Sequence, residues 1–318
     1  MPTLTQLRYA LAVEEHRHFG KASRACEVTQ PTLSQQLQKL EDEVGVILFD
    51  RTKKPILPTP EGARFLEQAR IVLREQEKLL NVARQSRAGM LTGDFKLAVI
   101  PTVASDLLPL MLKPFAQTHP GVSLFVEEMK TETILSELAN DRLDGAILAT
   151  PIAGTDLKVH PLYYEPFYVY LSGGHALLKR SEISRDQLDA AEMWLLQDGH
   201  CFKDQVVNYC ALPRAGEAAL GNVHFQSGSL ETLRRMVQSS QGHTLIPAMM
   251  AFSIRKQERD AHVRAFKAPS PAREISLIYR RDHWKLAILR ALEETIAANL
   301  PPSIRQHREK GVKVLAVG

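Results

Sequence analysis

The stretch GHCFKDQVVNYC, residues 199–210, holds two of the three cysteines of the chain, nine residues apart. Around Cys201 stand His200, Lys203 and Asp204. The thiolate, and not the thiol, is the nucleophile and the metal ligand of cysteine chemistry. His200, Lys203 and the start of a following helix all favour a thiolate at Cys201. Asp204 opposes it electrostatically, yet can handle protons. A thiolate attacks a peroxide oxygen to give a sulfenic acid, which a second thiol converts into a disulfide. Four readings are open for the pair: packing, metal binding, a structural staple, or a switch.

Spacing narrows these readings without closing them. A zinc site needs three or four ligands at suitable spacing. His200, Cys201 and Cys210 offer three, but two are adjacent and no CxxC occurs, so no metal is expected. Phe202, Val206, Tyr209 and Cys210 recur with a helical pattern. Nine residues of helix rise roughly 13.5 Å, whereas a disulfide needs Cα atoms within about 7 Å. If the segment is helical when reduced, a bridge across it requires unwinding and acts as a conformational switch. Cys26 lies among alanines and reads as a packing residue.

The chain that must position these groups has 318 residues, enough for several cores. The N-terminus lacks a basic region followed by an apolar run, and no apolar run is long enough to span a membrane. A cytoplasmic protein is expected, where a standing disulfide is uncommon. The net charge is +4, and residues 1–90 carry 14 Lys+Arg against 11 Asp+Glu. That excess hints at a polyanionic partner for the N-terminal part.

Leu4 to Glu15 reads as an amphipathic helix with Leu4, Leu7, Ala10 and Leu11 inward. Phe19 to Cys26 reads as a second, short helix, followed by a tight turn. Thr29 caps a third helix, Pro31 sits in its first turn and Gly45 ends it. Its inner face is Leu33, Leu37 and Leu40. Its outer face is Thr32, Ser34, Gln35, Gln38 and Lys39, groups that can reach base edges. ILFDRTKKPILPTPEG then reads as a basic wing against phosphates. This is a winged helix-turn-helix pattern. Residues 60–88 form a long helix on which Leu66, Leu73 and Leu80 repeat every seven residues, a two-helix seam. SRAGMLTGD, residues 86–94, reads as a hinge.

FGKASRACEVTQPTLSQQLQKLEDEVGVILFDRTKKPILPTPEG resembles the N-terminal signature of the LysR-type transcriptional regulators. The resemblance implies a recognition helix over about Gln30 to Val44. Thr29, Gln30, Pro31, Thr32, Ser34, Gln35 and Gln38 would face the major groove. Arg51, Lys53 and Thr59 would meet phosphate or the minor groove. It also implies dimerisation through the linker helix and a two-fold reader of a pseudo-palindromic operator.

From Phe95 the pattern changes to strands alternating with helices, which predicts a parallel-sheet α/β domain. FKLAVI, VSLFVEE, GAILA, FYVYL, WLLQ, VHFQS, TLIP and EISLIYR read as strands. Crossings between two lobes are placed near 162–166 and 266–272. Family resemblance implies a two-lobed, periplasmic-binding-protein-like effector domain with a cleft. The expected divisions are 1–59 (winged helix-turn-helix), 60–89 (linker) and 90–318 (effector). Lobe I spans about 90–163 and 267–300, and lobe II about 164–266. The C-terminal tail carries no signal. Thr102 and Ser105 lie near a helix N-terminus, where capping and ligand binding are both open.

GHCFKDQ with a second cysteine at the ninth position resembles one subgroup of the family, the OxyR-type peroxide sensors. EHRHFGKAS, IPTV, YEPFYV and SLETLRRMV agree with that subgroup. The resemblance implies that Cys201 is the peroxidatic and Cys210 the resolving cysteine, with Thr102, His200, Lys203 and Asp204 forming the peroxide pocket. It implies a dimer of dimers, contact with RNA polymerase, and reduction by a cellular thiol. Lys203 stands where the subgroup often has Arg, and Glu132 where it often has His. A regulator needing no cofactor, and not an enzyme, is expected. The rival is a regulator of the same fold that binds a small organic ligand in its cleft.

Overall fold

The protein is described from a computed structural model, covering residues 1–88, 91–152, 157–211, 219–220, 223–225, 227–281, 283–305 and 312–316. The chain forms two compact units, Met1–Met90 and Leu91–Gly318.

The first unit opens with α1 (Leu4–His16), α2 (Phe19–Ala25) and α3 (Gln30–Val44). Strands β1 (Phe49–Asp50) and β2 (Leu57–Pro58) pair antiparallel as the wing. The long helix α4 (Pro60–Ala88) follows. Thr3 and Gln6 close a reciprocal capping box at α1, and the Thr29 hydroxyl accepts from the Thr32 amide to cap α3. Gly45 ends α3 with a left-handed φ of 71°. Leu7, Ala10, Val13, Leu33, Leu37, Leu40, Leu48 and Phe49 make the core. The inner face of α1 thus runs through Leu7, Ala10 and Val13, while Leu4 is exposed. Leu4 belongs to the first turn of α1. Along α4, Leu66 and Ala69 belong to this core and Leu73 packs against it. Val72, Leu79 and Leu80 are exposed.

The second unit runs β3 (Gly93–Val99), α5 (Pro101–Thr118), β4 (Val122–Glu128), α6 (Thr131–Ala139), β5 (Gly145–Thr150), β6 (Leu157–Leu171) and β7 (Glu182–Ile183). It continues with α7 (Cys201–Cys210), β8 (Ala219–Leu220), β9 (Val223–His224), α8 (Leu230–Ser239), β10 (His243–Pro247), α9 (Ala248–Ser253), α10 (Lys256–His262) and β11 (Val263–Phe266). The last elements are β12 (Ser270–Arg280), α11 (Leu286–Asn299), α12 (Pro302–Arg305) and β13 (Val312–Val314).

The sheet is mixed, with the order β4-β3-β5-β12-β6-β11-β7; β10 adds to β6 and β13 to β12. β3 runs parallel to β4 and β5, but β12 runs antiparallel to both β5 and β6. The parallel expectation therefore holds for β3, β4 and β5 and for the short pairs β11–β7 and β12–β13, while the central pairings of β12 and β6 are antiparallel. β6 is long enough to serve two cores. One end of β6 pairs with β12 and the other with β10 and β11. The segments read as crossings thus lie within or beside continuous strands. One core gathers β3, β5, α5 and α11, the other β10, α8 and the inner end of β6. WLLQ is not a strand: Met193, just before it, forms an isolated bridge to His243, and Trp194 exchanges hydrogen bonds with His243 and Thr244 of β10. The tail does carry structure, since β13 pairs parallel with β12 and Leu315 is buried in the second core.

Candidate functional site

Helix α7 begins at Cys201 and ends at Cys210, so the two sulfurs sit at opposite ends of one ten-residue helix. Both cysteines are free. Cys201 is buried in the first core, whereas Phe202 and Val206 enter the second and Cys210 packs against it. The helix therefore straddles the two cores.

Gly199 leads into this helix with a φ of 85°. A side chain there would be strained and would press on Lys130, whose Nζ lies 3.0 Å from a built Cβ. Lys130 Nζ donates to the Asp198 carbonyl, and Lys203 Nζ donates to Asp198 Oδ1 at 2.7 Å. Lys203 is thus held by Asp198, whose carboxyl it keeps below the usual range. The lysine expected to polarise Cys201 is engaged elsewhere.

The group that does act on the thiol is Arg273 on β12. Burial raises the Cys201 thiol above its ordinary value; Arg273 and then the Thr131 hydroxyl act against that rise, and Asp204 adds slightly to it. The expectation of a favoured thiolate at rest is therefore corrected, because desolvation outweighs the nearby positive charge. Asp204 is exposed.

Arg273 is fully buried and fully engaged. Its Nε donates to Glu165 Oε2 at 2.8 Å, and its two terminal nitrogens donate to the Thr102 hydroxyl and carbonyl, each at 2.8 Å. The guanidinium also lies 5.4 Å from the Phe202 ring centroid. Glu165 is buried too, and its Oε1 accepts from the Met249 amide at the start of α9. Burial nonetheless raises its carboxyl above the usual value, with Arg273 countering. Thr102 therefore does not cap α5, whose cap residue is Ile100. It joins the N-terminal turn of α5 to the arginine beside the sensor helix.

Two buried polar atoms near the start of α7 have no nitrogen or oxygen partner among the described residues: the Thr131 hydroxyl, which faces the Cys201 thiol, and Nε2 of His200, the residue before it. Burial, and then Lys130, lowers the His200 pKa, so the imidazole is neutral at neutral pH. Unsatisfied buried polar atoms are uncommon in folded proteins and call for an explanation.

At the other end of α7, burial pushes the Cys210 thiol up to about 11, with Arg185 acting against it. The tail holds the middle of the helix: Gln205 Nε2 donates to the Leu315 carbonyl at 2.9 Å, and the Leu315 amide donates to the Ala272 carbonyl. Next to Thr102 lies a cavity of about 350 Å³ lined by Ser105, Asp106, Glu128, Ser229 and Glu231 among others. Its walls are acidic.

In the first unit, Thr29, Gln30, Pro31, Thr32, Gln35 and Gln38 are exposed along α3, with Ser34 half-buried. The Thr29 and Thr32 hydroxyls bond one another at 2.8 Å, and the Gln38 amide reaches Asp42. Arg51 Nη2 is tied to the buried Glu41 at 2.6 Å. Glu41 also accepts from the Leu48 amide, which fixes the wing to α3. Thr59 donates to the Ile47 carbonyl and accepts from the Gly62 amide, a structural use of its hydroxyl. Lys53 is exposed on the wing.

Sequence reasoning missed Thr131, Glu165 and Arg273. Glu165 carries the clearest signal, a charge inside the apolar run YEPFYV, because a buried charge requires a partner.

A helix-turn-helix unit and a separate two-core α/β unit with a strand-bridged interior define a DNA-binding regulator with a sensing domain. Residues 4–63 match the bacterial regulatory helix-turn-helix protein of the lysR family, and residues 88–301 match the LysR substrate binding domain. The chain belongs to the LysR family of bacterial transcription regulators. It is 36% identical over 313 residues to the hydrogen peroxide-inducible genes activator of Pectobacterium carotovorum, covering 98% of this chain and 99% of that one. It is also 36% identical over 310 residues to the DNA-binding transcriptional dual regulator OxyR of Escherichia coli, covering 98% of each. A full-length OxyR variant from Pseudomonas aeruginosa superposes with a TM-score of 0.78 at 32% identity, covering 94% of this chain and 99% of that chain. Among the described residues no helix is long and apolar enough to cross a membrane.

Proposed function

We propose that this protein is a cytoplasmic transcription factor that reads hydrogen peroxide through Cys201 and Cys210. The observation that carries the reading is the buried thiol of Cys201 at the start of α7, with Arg273 and the Thr131 hydroxyl acting on it and Cys210 at the far end of the same helix. A peroxide there accepts from Thr131 and donates to neutral His200. As the Cys201 proton leaves, the thiolate attacks one peroxide oxygen; the O–O bond breaks, sulfenic acid forms and the other oxygen departs as water. Arg273 stabilises the negative charge during the step, with Thr102 and Glu165 holding it in place. Asp204, exposed on the next turn, relays protons, and Lys203 with Asp198 fixes the entry to the helix.

Unwinding of α7 then brings Cys210 to the sulfenic acid, and the disulfide forms with loss of water. A cellular dithiol reverses it. The two cores change their packing because α7 contributes to both, and this alters how paired chains present their DNA heads. Exposed Val72, Leu79 and Leu80 on α4 supply the dimer seam, and dimers pair into tetramers that read a pseudo-palindromic operator and contact RNA polymerase. Thr29 to Gln38 face the major groove, with Lys53 and the remaining donors of Arg51 on phosphate. Thr59 acts as a helix cap and not as a principal DNA contact. The chain turns over once per signal and is not an enzyme in purpose.

The rival, an organic anion in the cleft, meets a cavity walled by Asp106, Glu128 and Glu231, which repels anions. The test is footprinting on genomic fragments selected with the reduced protein, before and after one equivalent of peroxide. The protected region changes length for the wild type and stays fixed for Cys201→Ser. An unchanged wild-type footprint contradicts the proposal.

A further inference from the structure

Away from the cysteines, three side chains with metal-binding chemistry meet. One ligand atom from each of His175, Glu192 and His243 lies within 4.8 Å of the other two. They come from three separated segments, so no sequence motif announces them.

The scaffold under the cluster is tightly fixed. The Ser172 amide donates to the Gly242 carbonyl at 3.0 Å, and the Trp194 amide donates to the His243 carbonyl at 2.8 Å. Trp194 Nε1 donates to the Gln241 carbonyl. Gly242 has a φ of 95°, and a Cβ on it would fall 2.2 Å from the Glu192 carbonyl oxygen. Only glycine permits this approach, which sets Glu192 beside His243.

The second observation concerns His243 itself. It is 0% exposed, and neither ring nitrogen makes a hydrogen bond among the described residues. A buried imidazole with both nitrogens unpaired is costly unless something occupies it. Burial lowers its pKa to about 4, with His175 adding to the effect. His175 sits at the side, with Nε2 3.0 Å from Glu192 Oε2 and Nδ1 accepting from the Leu177 amide. Glu192 is half exposed and closes the mouth.

We propose that His175, Glu192 and His243 bind one divalent first-row transition-metal ion of the zinc class, with water completing its coordination. Two imidazoles and a carboxylate are a favoured donor set for such ions. Ligands about 2.1 Å from a tetrahedral ion lie about 3.4 Å apart, so a movement of about 1 Å by the exposed Glu192 and the His175 ring closes the site. The His175 proton moves from Nε2 to Nδ1 as the metal takes Nε2. Both present hydrogen bonds of the ring are given up, the one to Glu192 and the one from the Leu177 amide, and the metal bonds to Nε2 and to Glu192 replace them. The ion ties the turn at His175 and the Glu192 segment to the first residue of β10.

The test is cobalt(II) titration of the reduced, untagged full-length protein, followed by visible absorption, with thermal melting in parallel. One equivalent per chain is expected, with weak d–d bands, no thiolate-to-cobalt charge-transfer band and a higher Tm. Glu192→Gln, a surface change, should weaken binding at least tenfold with a metal-free Tm near that of the wild type, and His175→Ala should abolish binding. The proposal is overturned by an absence of saturable binding in the wild type, by binding that survives both variants, or by a thiolate band.

Discussion

Cys201 and Cys210 mark the two ends of a single helix, the first buried in one core of the sensing unit and the second packed on the other. Roughly 13.5 Å of helical rise separates them, so a bond between the sulfurs and the intact helix α7 exclude one another.

The resting thiol at Cys201 is protonated, because burial outweighs Arg273 and Thr131. Below its pKa the thiolate fraction rises tenfold per pH unit. The second-order rate with peroxide should therefore climb through about pH 8.5, the ordinary thiol value, without levelling off. A stopped-flow pH profile that plateaus near neutrality contradicts this. The sign for stability is opposite. The folded state keeps a proton that the unfolded chain releases, so this group's stabilisation is present below the unfolded pKa and is lost as pH rises.

Arg273 and Glu165 form a buried pair that also binds Thr102 and the Met249 amide. Arg273→Met leaves Glu165 uncompensated and should cost about 3–5 kcal/mol in urea denaturation. Adding Glu165→Gln should recover much of that loss. A strictly additive double variant would rule out the coupling. Peroxide oxidation should slow in both, since the charge that lowers the Cys201 pKa is gone.

The tail strand restrains α7 through the bond from Gln205 to the Leu315 carbonyl. Gln205→Leu, or removal of residues 312–318, frees the helix to unwind. One buried hydrogen bond of about 1 kcal/mol corresponds to about fivefold, and bridge formation after sulfenic acid should quicken by that factor. Quench-flow alkylation measures it; an unchanged rate means that the tail does not restrain unwinding.

On the recognition helix, Gln35 is exposed and Lys53 stands on the wing. Gln35→Ala should lose about 1–3 kcal/mol of discrimination for the selected operator with little change on random DNA. Lys53→Ala should weaken both alike and reduce the salt slope by about one. Fluorescence anisotropy across a salt series separates the two outcomes.

The DNA-reading helices, the wing and the helical state of α7 were legible because local signals specify them: the Thr29 cap, the Gly45 stop, and the spacing of Leu33, Leu37 and Leu40. The mixed sheet was not, because nothing local tells β6 that one end pairs with β12 and the other with β10. Cys201, His200 and Cys210 could be read from adjacency. Arg273 could not, since its place beside the thiol depends on register between β12 and β6. The tail's order was hidden as well, because Leu315 is buried only by a distant partner strand.

The measurement that bears most directly on the switch is non-reducing peptide mapping with a thiol count, before and after stoichiometric peroxide. The account predicts a Cys201–Cys210 bridge that forms rapidly and is reversed by dithiol, with Cys210→Ser stopping at sulfenic acid. Two thiols that remain free under that treatment would contradict it.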